Sequence, residues 1–224
     1  TRTRIMGVWT EKETQLVFID TPGLIKPKNS LGDYMVKSVT QSVAGVDACL
    51  LVAEAGTKIS KADEELVARF KSLGLPAVLA INKIDKPGAN PDKIREQLSN
   101  MNILVEDWGG KYQCQEISAK HGINVDLLLE KVLLEAEMLE LKANPNRRAT
   151  GAVIESSLDK GRGYLATILV QNGTMRVGDV MLSGCYTGRV KAMFNERGQK
   201  VEEAGPSTPV SVLGLNGAPT AGET

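Results

Sequence analysis

Three short segments hold side chains that could act together on one ligand. Asp20-Thr21-Pro22-Gly23 follows an apolar run, Asn82-Lys83-Ile84-Asp85 follows another, and Ser118-Ala119-Lys120 follows a third. A carboxylate at the end of a buried strand, as at Asp20, can hold a water on a Mg²⁺ ion beneath a nucleotide phosphate. Gly23 has no Cβ, so its N–H can approach a terminal phosphate. Asp85 can accept both N–H donors on the N1/N2 edge of guanine, a two-point match that adenine does not offer. Asn82 would steady that loop, Lys83 would pack over the base, and the Ser118–Ala119–Lys120 backbone would give an N–H to guanine O6. Each segment alone also fits an ordinary turn. In this order, each at the C-terminal end of a predicted parallel strand, they point to one guanine-nucleotide site, because open α/β sheets bind ligands at that edge. No G-x-x-x-x-G-K-[ST] segment occurs in the 224 residues, so a partial G domain, with the phosphate loop and first strand missing, is expected.

The elements that must carry these segments can be read from periodicity. Strands are predicted over 4–9 and 15–20 around a polar turn at 10–14, then over 46–53, 76–81 and 112–117. The run 46–53 is nearly continuous in apolar residues, as a strand buried on both faces should be. Helices are predicted over 33–44, over 60–72 with Ser60 as N-cap, over 91–100 with Pro91 in the first turn, and over 125–141. Alternating strands and helices imply a parallel sheet with crossover helices. Residues 143–150 carry Asn, Pro and paired Arg, a linker signature. From Gly151 on, short Val/Ile/Leu runs are punctuated by Gly161, Gly163, Gly173, Gly178, Gly184, Gly188, Gly198 and Gly205, which predicts a small antiparallel β-barrel. The expected organisation is therefore a partial GTP-binding α/β G domain over 1–143, a linker over 144–150 and a partial β-barrel over 151–224.

Composition narrows the function classes. Lys+Arg and Asp+Glu number 27 each, which argues against attachment to nucleic acid by bulk charge and gives no sign of DNA binding. Three cysteines without metal-ligand spacing do not make a disulfide framework, and no apolar run reaches the length of a membrane span. A reduced, cytoplasmic protein is expected, with Cys49 as a small core residue. His121, the one histidine, reads as an exposed loop residue, and Trp108 as a packing anchor. Lys26, Lys28, Lys58, Lys61, Arg147 and Arg148 read as solvated surface.

At these motifs the chain resembles two families. Residues 1 to about 75 resemble the G domain of Era-type ribosome-assembly GTPases. The carriers are Thr1-Arg2-Thr3-Arg4-Ile5-Met6-Gly7, Phe18-Ile19-Asp20-Thr21-Pro22-Gly23-Leu24 and Lys26-Pro27-Lys28-Asn29. Residues from about 76 to 224 resemble the bacterial translation initiation factor 2 family. Here the carriers are Ala80-Ile81-Asn82-Lys83-Ile84-Asp85-Lys86-Pro87, Glu106-Asp107-Trp108-Gly109-Gly110, Glu137-Met138-Leu139-Glu140-Leu141-Lys142-Ala143, Leu158-Asp159-Lys160-Gly161-Arg162-Gly163 and Glu203-Ala204-Gly205-Pro206-Ser207-Thr208-Pro209. Translational GTPases carry His after D-T-P-G, whereas Leu24 here agrees with the Era-type pattern, so a join near 75–85 is expected.

The second resemblance implies a GTP-binding segment of a translational GTPase that, in complete form, binds and hydrolyses GTP on the ribosome. It implies GTP or GDP with Mg²⁺ as cofactors, Thr1 as the match of a switch threonine touching Mg²⁺, and the small ribosomal subunit as partner. Lys160, Arg162, Arg189, Lys191 and Arg197, in or near predicted barrel loops, would reach rRNA phosphates. Without the phosphate loop the chain itself is expected not to turn over GTP. The rival readings are an Era-type assembly factor, a non-catalytic ribosome-contacting module, and a hybrid fragment without function of its own.

Overall fold

The computed structural model describes residues 6–11, 14–20, 46–56, 58–59, 61–72 and 74–224. The predicted helix over 33–44 and the Ser60 cap lie outside them. Two compact units divide the chain: Val46–Leu141, and Lys142–Thr224 together with Thr1–Gly45.

The unit Val46–Leu141 is built on parallel pairing. Strands β3 (Cys49–Glu54), β4 (Ala77–Asn82) and β5 (Gln113–Glu116) form one sheet in the order β3-β4-β5. Both ladders are parallel, with Leu51 opposite Leu79 and Ala80 opposite Gln115. Helix α1 (Lys61–Ser72) connects the first pair. Helix α2 (Pro91–Asn100) and the short turn Glu106–Trp108 connect the second. Helix α3 (Val125–Met138) follows β5 and ends three residues before the predicted limit. The start of α2 is local chemistry. Pro91 fits a first turn that needs no N–H donor, and the Asn90 side chain accepts from Lys93 N–H at 3.1 Å.

Central position explains the burial of β4, where Val78, Leu79, Ala80 and Ile81 are all nearly inaccessible. On one side Leu79 and Ile81 join Ala55, Val67, Ile94, Leu98 and Val105; on the other Val78 and Ala80 meet Ile117 and Leu128. The expectation that 46–53 is buried on both faces is not met. Val52 is 55% exposed, because among the described residues β3 is an edge strand. Cys49 is only partly buried.

In the other unit every pairing between described strands is antiparallel. β1 (Met6–Glu11) and β2 (Thr14–Ile19) form a hairpin with Val8 opposite Val17. Strands β6 (Thr150–Asp159), β7 (Gly163–Asn172), β9 (Val180–Ser183), β10 (Tyr186–Phe194), β11 (Lys200–Val201) and β13 (Thr208–Leu215) make a curled sheet. Its path is β11-β10-β13-β7-β6, with β9 on β10. β8 (Met175–Arg176) pairs with β12 (Glu203–Ala204). Met193, Val170, Val190, Val210 and Val212 fill its interior. The glycine punctuation has the expected meaning. Gly161, Gly173, Gly178, Gly184, Gly198 and Gly205 fall between strands, while Gly188 sits inside β10 where its register against β13 shifts. A Cβ at Gly188 would lie 2.1 Å from the Gly214 carbonyl oxygen, so the two backbones can approach this closely only at glycine. Among the described residues no helix is long and apolar enough to cross a membrane.

Candidate functional site

β4 and β5 end side by side, and the loops that follow them interlock. Ile117 N–H donates to the Ile81 carbonyl at 2.8 Å and Ile84 N–H to the Ile117 carbonyl at 3.3 Å. Asn82, the last residue of β4, supplies the crossing tie. Its Oδ1 accepts the N–H of Lys83 at 2.7 Å and that of Ala119 at 3.0 Å. One carboxamide therefore joins the Asn82–Asp85 loop to the Ser118–Lys120 loop across a separation of 37 residues. Lys83 takes a left-handed backbone (φ 66°). That conformation costs a residue with a Cβ roughly 1–2 kcal/mol, and the Asn82 bond to its own N–H helps hold it there.

The second loop is pinned at both ends. Ser118 and Ile123 exchange N–H···O=C bonds, both at 3.1 Å. Asn124 Nδ2 donates to the Glu116 carbonyl at 3.0 Å just before α3 begins. Ser118 is fully buried, and its hydroxyl bonds the Asp85 carboxylate. That bond is the main reason the Asp85 carboxyl lies below the usual carboxylate range. Partial desolvation opposes it, and the Asp85 backbone N–H, the Lys120 charge and, when protonated, His121 reinforce it. Asp85 is thus held ionised, as a double acceptor must be.

Three contributors to this geometry were not foreseen from the sequence. Glu54, at the end of β3, receives the Lys83 ammonium at 2.5 Å and the Lys86 ammonium at 2.8 Å. Those hydrogen bonds draw its carboxyl below the ordinary value. Lys83, expected over a base, carries its ammonium on Glu54 here. Arg95 of α2 is buried. It bonds Glu116 of β5 through Nη2 at 2.6 Å and Asp92 through Nη1 at 2.8 Å. Burial disfavours the Arg95 charge, but these two carboxylates outweigh it and raise the guanidinium above its ordinary range. His121 Nε2 lies 3.5 Å from Asp85 Oδ2, so the loop histidine, although half exposed, belongs to the site. Only the adjacency of His121 to Lys120 offered a sequence signal. Trp108 departs from expectation the other way: it is 42% exposed rather than a packing anchor.

On the phosphate side the picture is narrower. Asp20 directly follows β2 and is exposed. Thr1, Thr21, Pro22, Gly23, Leu24, Lys26 and Lys28 lie outside the described residues. Asp20 falls in the compact unit that contains Thr1–Gly45, the base-side loops in Val46–Leu141. The structure thus brings Asn82, Lys83, Asp85, Ser118, Ala119 and Lys120 into one site.

A parallel sheet whose last two strands end in an Asn-Lys-x-Asp loop and a Ser-Ala-Lys loop, tied by one carboxamide, fits the GTP-binding family whose model matches the chain. The chain belongs to that family: residues 2–138 match the Elongation factor Tu GTP binding domain. Residues 148–224 match Elongation factor G domain 2. Among individual relatives, the chain is 56% identical over 210 residues to Translation initiation factor IF-2 of Porphyromonas gingivalis, covering 94% of this chain and 21% of that protein. It is 54% identical over 217 residues to the same-named protein of Bacteroides fragilis, covering 97% and 21%. The chain thus spans about one fifth of the length of these curated relatives.

Solved structures with this fold include translation elongation factor SelB from Methanococcus maripaludis in complex with the GTP analogue GPPNHP. Its TM-score is 0.70 at 18% identity, over 98% of this chain and 47% of that one. GDP-bound aIF5B from Aeropyrum pernix gives a TM-score of 0.69 at 20% identity, over 93% and 42%. The expected join to an Era-type segment is not supported. Similarity to initiation factor IF-2 runs through 94–97% of the chain and so includes most of residues 1–75.

Proposed function

We propose that the chain is a segment of an initiation-factor-2-like translational GTPase, and that the loops after β4 and β5 form its guanine pocket. The observation that carries this reading is the Asn82 carboxamide accepting from both Lys83 and Ala119, with Asp85 fixed on the buried Ser118. Asp85 accepts from guanine N1–H and N2–H, and the stem of Lys83 covers one face of the base. Guanine O6 shares the Ala119 N–H with Asn82 or takes the adjacent Lys120 N–H.

In the longer protein GTP or GDP would occupy this pocket, and by family resemblance Asp20, Thr21, Pro22 and Gly23 would be the residues that meet its phosphates. Asp20 would hold Mg²⁺ through a water, and Thr1 would take the switch-threonine role. The ion, when bound, would supply neutralisation of phosphate charge, while the residues of this chain would bind and orient the nucleotide. The organisation that fits is a G domain over 1–143, a linker over 144–150 and a β-barrel over 151–224, in a cytoplasmic protein working on the ribosome.

The barrel is the part suited to the small subunit. Lys160 and Arg162 lie exposed in the β6–β7 turn, Arg197 after β10, and Arg189 and Lys191 on the exposed side of β10. These charges reach rRNA phosphates weakly, and salt removes the contact. Base recognition is tested by following amide resonances of Asp85 and Ala119 while guanosine or adenosine is added. Guanosine shifts them and adenosine does not, and Asp85→Ala abolishes the response. Equal responses to both nucleosides overturn the reading.

A further inference from the structure

We propose that His121 is a residue of the base pocket and makes guanine recognition weaken as the solution is acidified. The inference rests on the base-pocket reading above. Its basis is a shared acceptor. His121 Nε2 lies 3.5 Å from Asp85 Oδ2, on the carboxylate that the guanine edge would use. The turn that carries His121 is fixed. Its own N–H donates to the Ser118 carbonyl at 3.2 Å and to Ser118 Oγ at 3.4 Å, and that serine hydroxyl also bonds Asp85. Imidazole and carboxylate are therefore presented to one another from two interlocked loops.

A neutral imidazole leaves Asp85 with full acceptor capacity. A protonated one places a positive charge and an N–H donor on Oδ2, where N1–H or N2–H of the base must bond. The other charged groups near Asp85 are Lys120, in the same turn as His121, and Lys86, in the loop after β4. Lys86 and its neighbour Lys83 are themselves engaged by Glu54 of β3. The Glu54 carboxyl is drawn below its ordinary value and the Lys86 ammonium raised above its own, so this pair keeps its charge between pH 5.5 and 7.5, whereas imidazole is the side chain that ordinarily titrates there. The chain has one histidine, so comparison with His121→Gln assigns a change in base affinity within that window.

The experiment is a titration of the full 224-residue chain with guanosine, a probe without phosphates that would titrate. The Asp85 and Ala119 amides are followed at pH 7.5 and 5.5, in the parent and in His121→Gln. The parent should bind guanosine about three- to fivefold more weakly at pH 5.5, the scale of a half-exposed ion pair. In His121→Gln the ratio between the two pH values should collapse towards one. Binding at pH 7.5 with no loss at pH 5.5, or the same loss in His121→Gln, overturns the role of His121 and leaves the base pocket standing. No response to guanosine at pH 7.5 overturns the base pocket itself, and this inference with it.

Discussion

Asn82→Ala should separate the two loops of the base pocket, and its cost can be worked out from the bonds it removes. Asn82 Oδ1 accepts two backbone N–H groups, at 2.7 and 3.0 Å. A backbone donor left without a partner costs about 1–3 kcal/mol when water cannot replace it. Ala119 is exposed and Lys83 partly so, which places each loss near the low end. The Lys83 left-handed backbone also loses a bond that holds it. Together these give a loss of about 2 kcal/mol for the Val46–Leu141 unit. At a urea dependence of roughly 2 kcal/mol per M for a unit of this kind, the unfolding midpoint should move down by about 1 M. The assay is urea denaturation of the chain, with hydrogen exchange of the Ala119 amide beside it. That amide should exchange markedly faster in the variant, and the guanosine response should vanish. An unchanged midpoint with unchanged Ala119 protection would show that the carboxamide does not tie the loops.

Arg95→Met should destabilise the same unit by about 2 kcal/mol. It strips a buried partner from Glu116 and Asp92, both exposed enough that water offsets part of the cost of a broken pair; urea unfolding checks it, and no change refutes it. The Asp159 carboxyl is drawn below its ordinary value by the N–H groups of Gly161 and Arg162, both at 2.8 Å. A depressed carboxylate stabilises above the unfolded value and loses that contribution as pH falls through the folded one. The Gly161 and Arg162 amide shifts should therefore titrate with a midpoint below about 3.9, and not at all in Asp159→Asn. Burial pushes the Cys49 thiol up to about 11 and raises that of Cys114, while Cys185 is exposed. Iodoacetamide at neutral pH should modify Cys185 first, with peptide mapping as the readout; early labelling of Cys114 would contradict its burial.

What could be read in the sequence was whatever is local. The Pro91 start of α2 matches the predicted limit because a proline without N–H fits there and the preceding Asn90 caps the turn. Most of the glycines that punctuate the chain after 151 marked turns, while Gly163 opens β7 and Gly188 lies inside β10. The runs around 76–81 and 112–117 gave β4 and β5 to within a residue or so. Short pieces escaped. β8, β11 and β12 have two residues each, too few to carry a period. Whether a strand lies central or at an edge escaped too. An apolar run reads alike in both places, so Val52 was expected inside and is exposed.

The candidate site divides in the same way. The residues proposed to bind the base stand out in the sequence because each lies at the end of an apolar run. Their supports do not, because the partners are brought together only by the sheet. Glu54 meets Lys83 at a separation of 29 residues and Lys86 at 32, and Arg95 meets Glu116 at 21. No composition or spacing distinguishes these from the solvated charges around them. The parallel ladders do so. Cys49 opposite Ala77 sets Glu54 opposite Asn82, and Val78 opposite Gln113 sets Ile81 opposite Glu116. Once these registers hold, the ends of β3, β4 and β5 must lie together. A carboxylate at the end of β3 then reaches lysines in the loop after β4, and an arginine of α2 reaches the last residue of β5. A one-residue slip in either ladder would turn Glu54 or Glu116 to the opposite face of the sheet. The proposed guanine pocket therefore depends on the sheet register as directly as on the motif residues themselves.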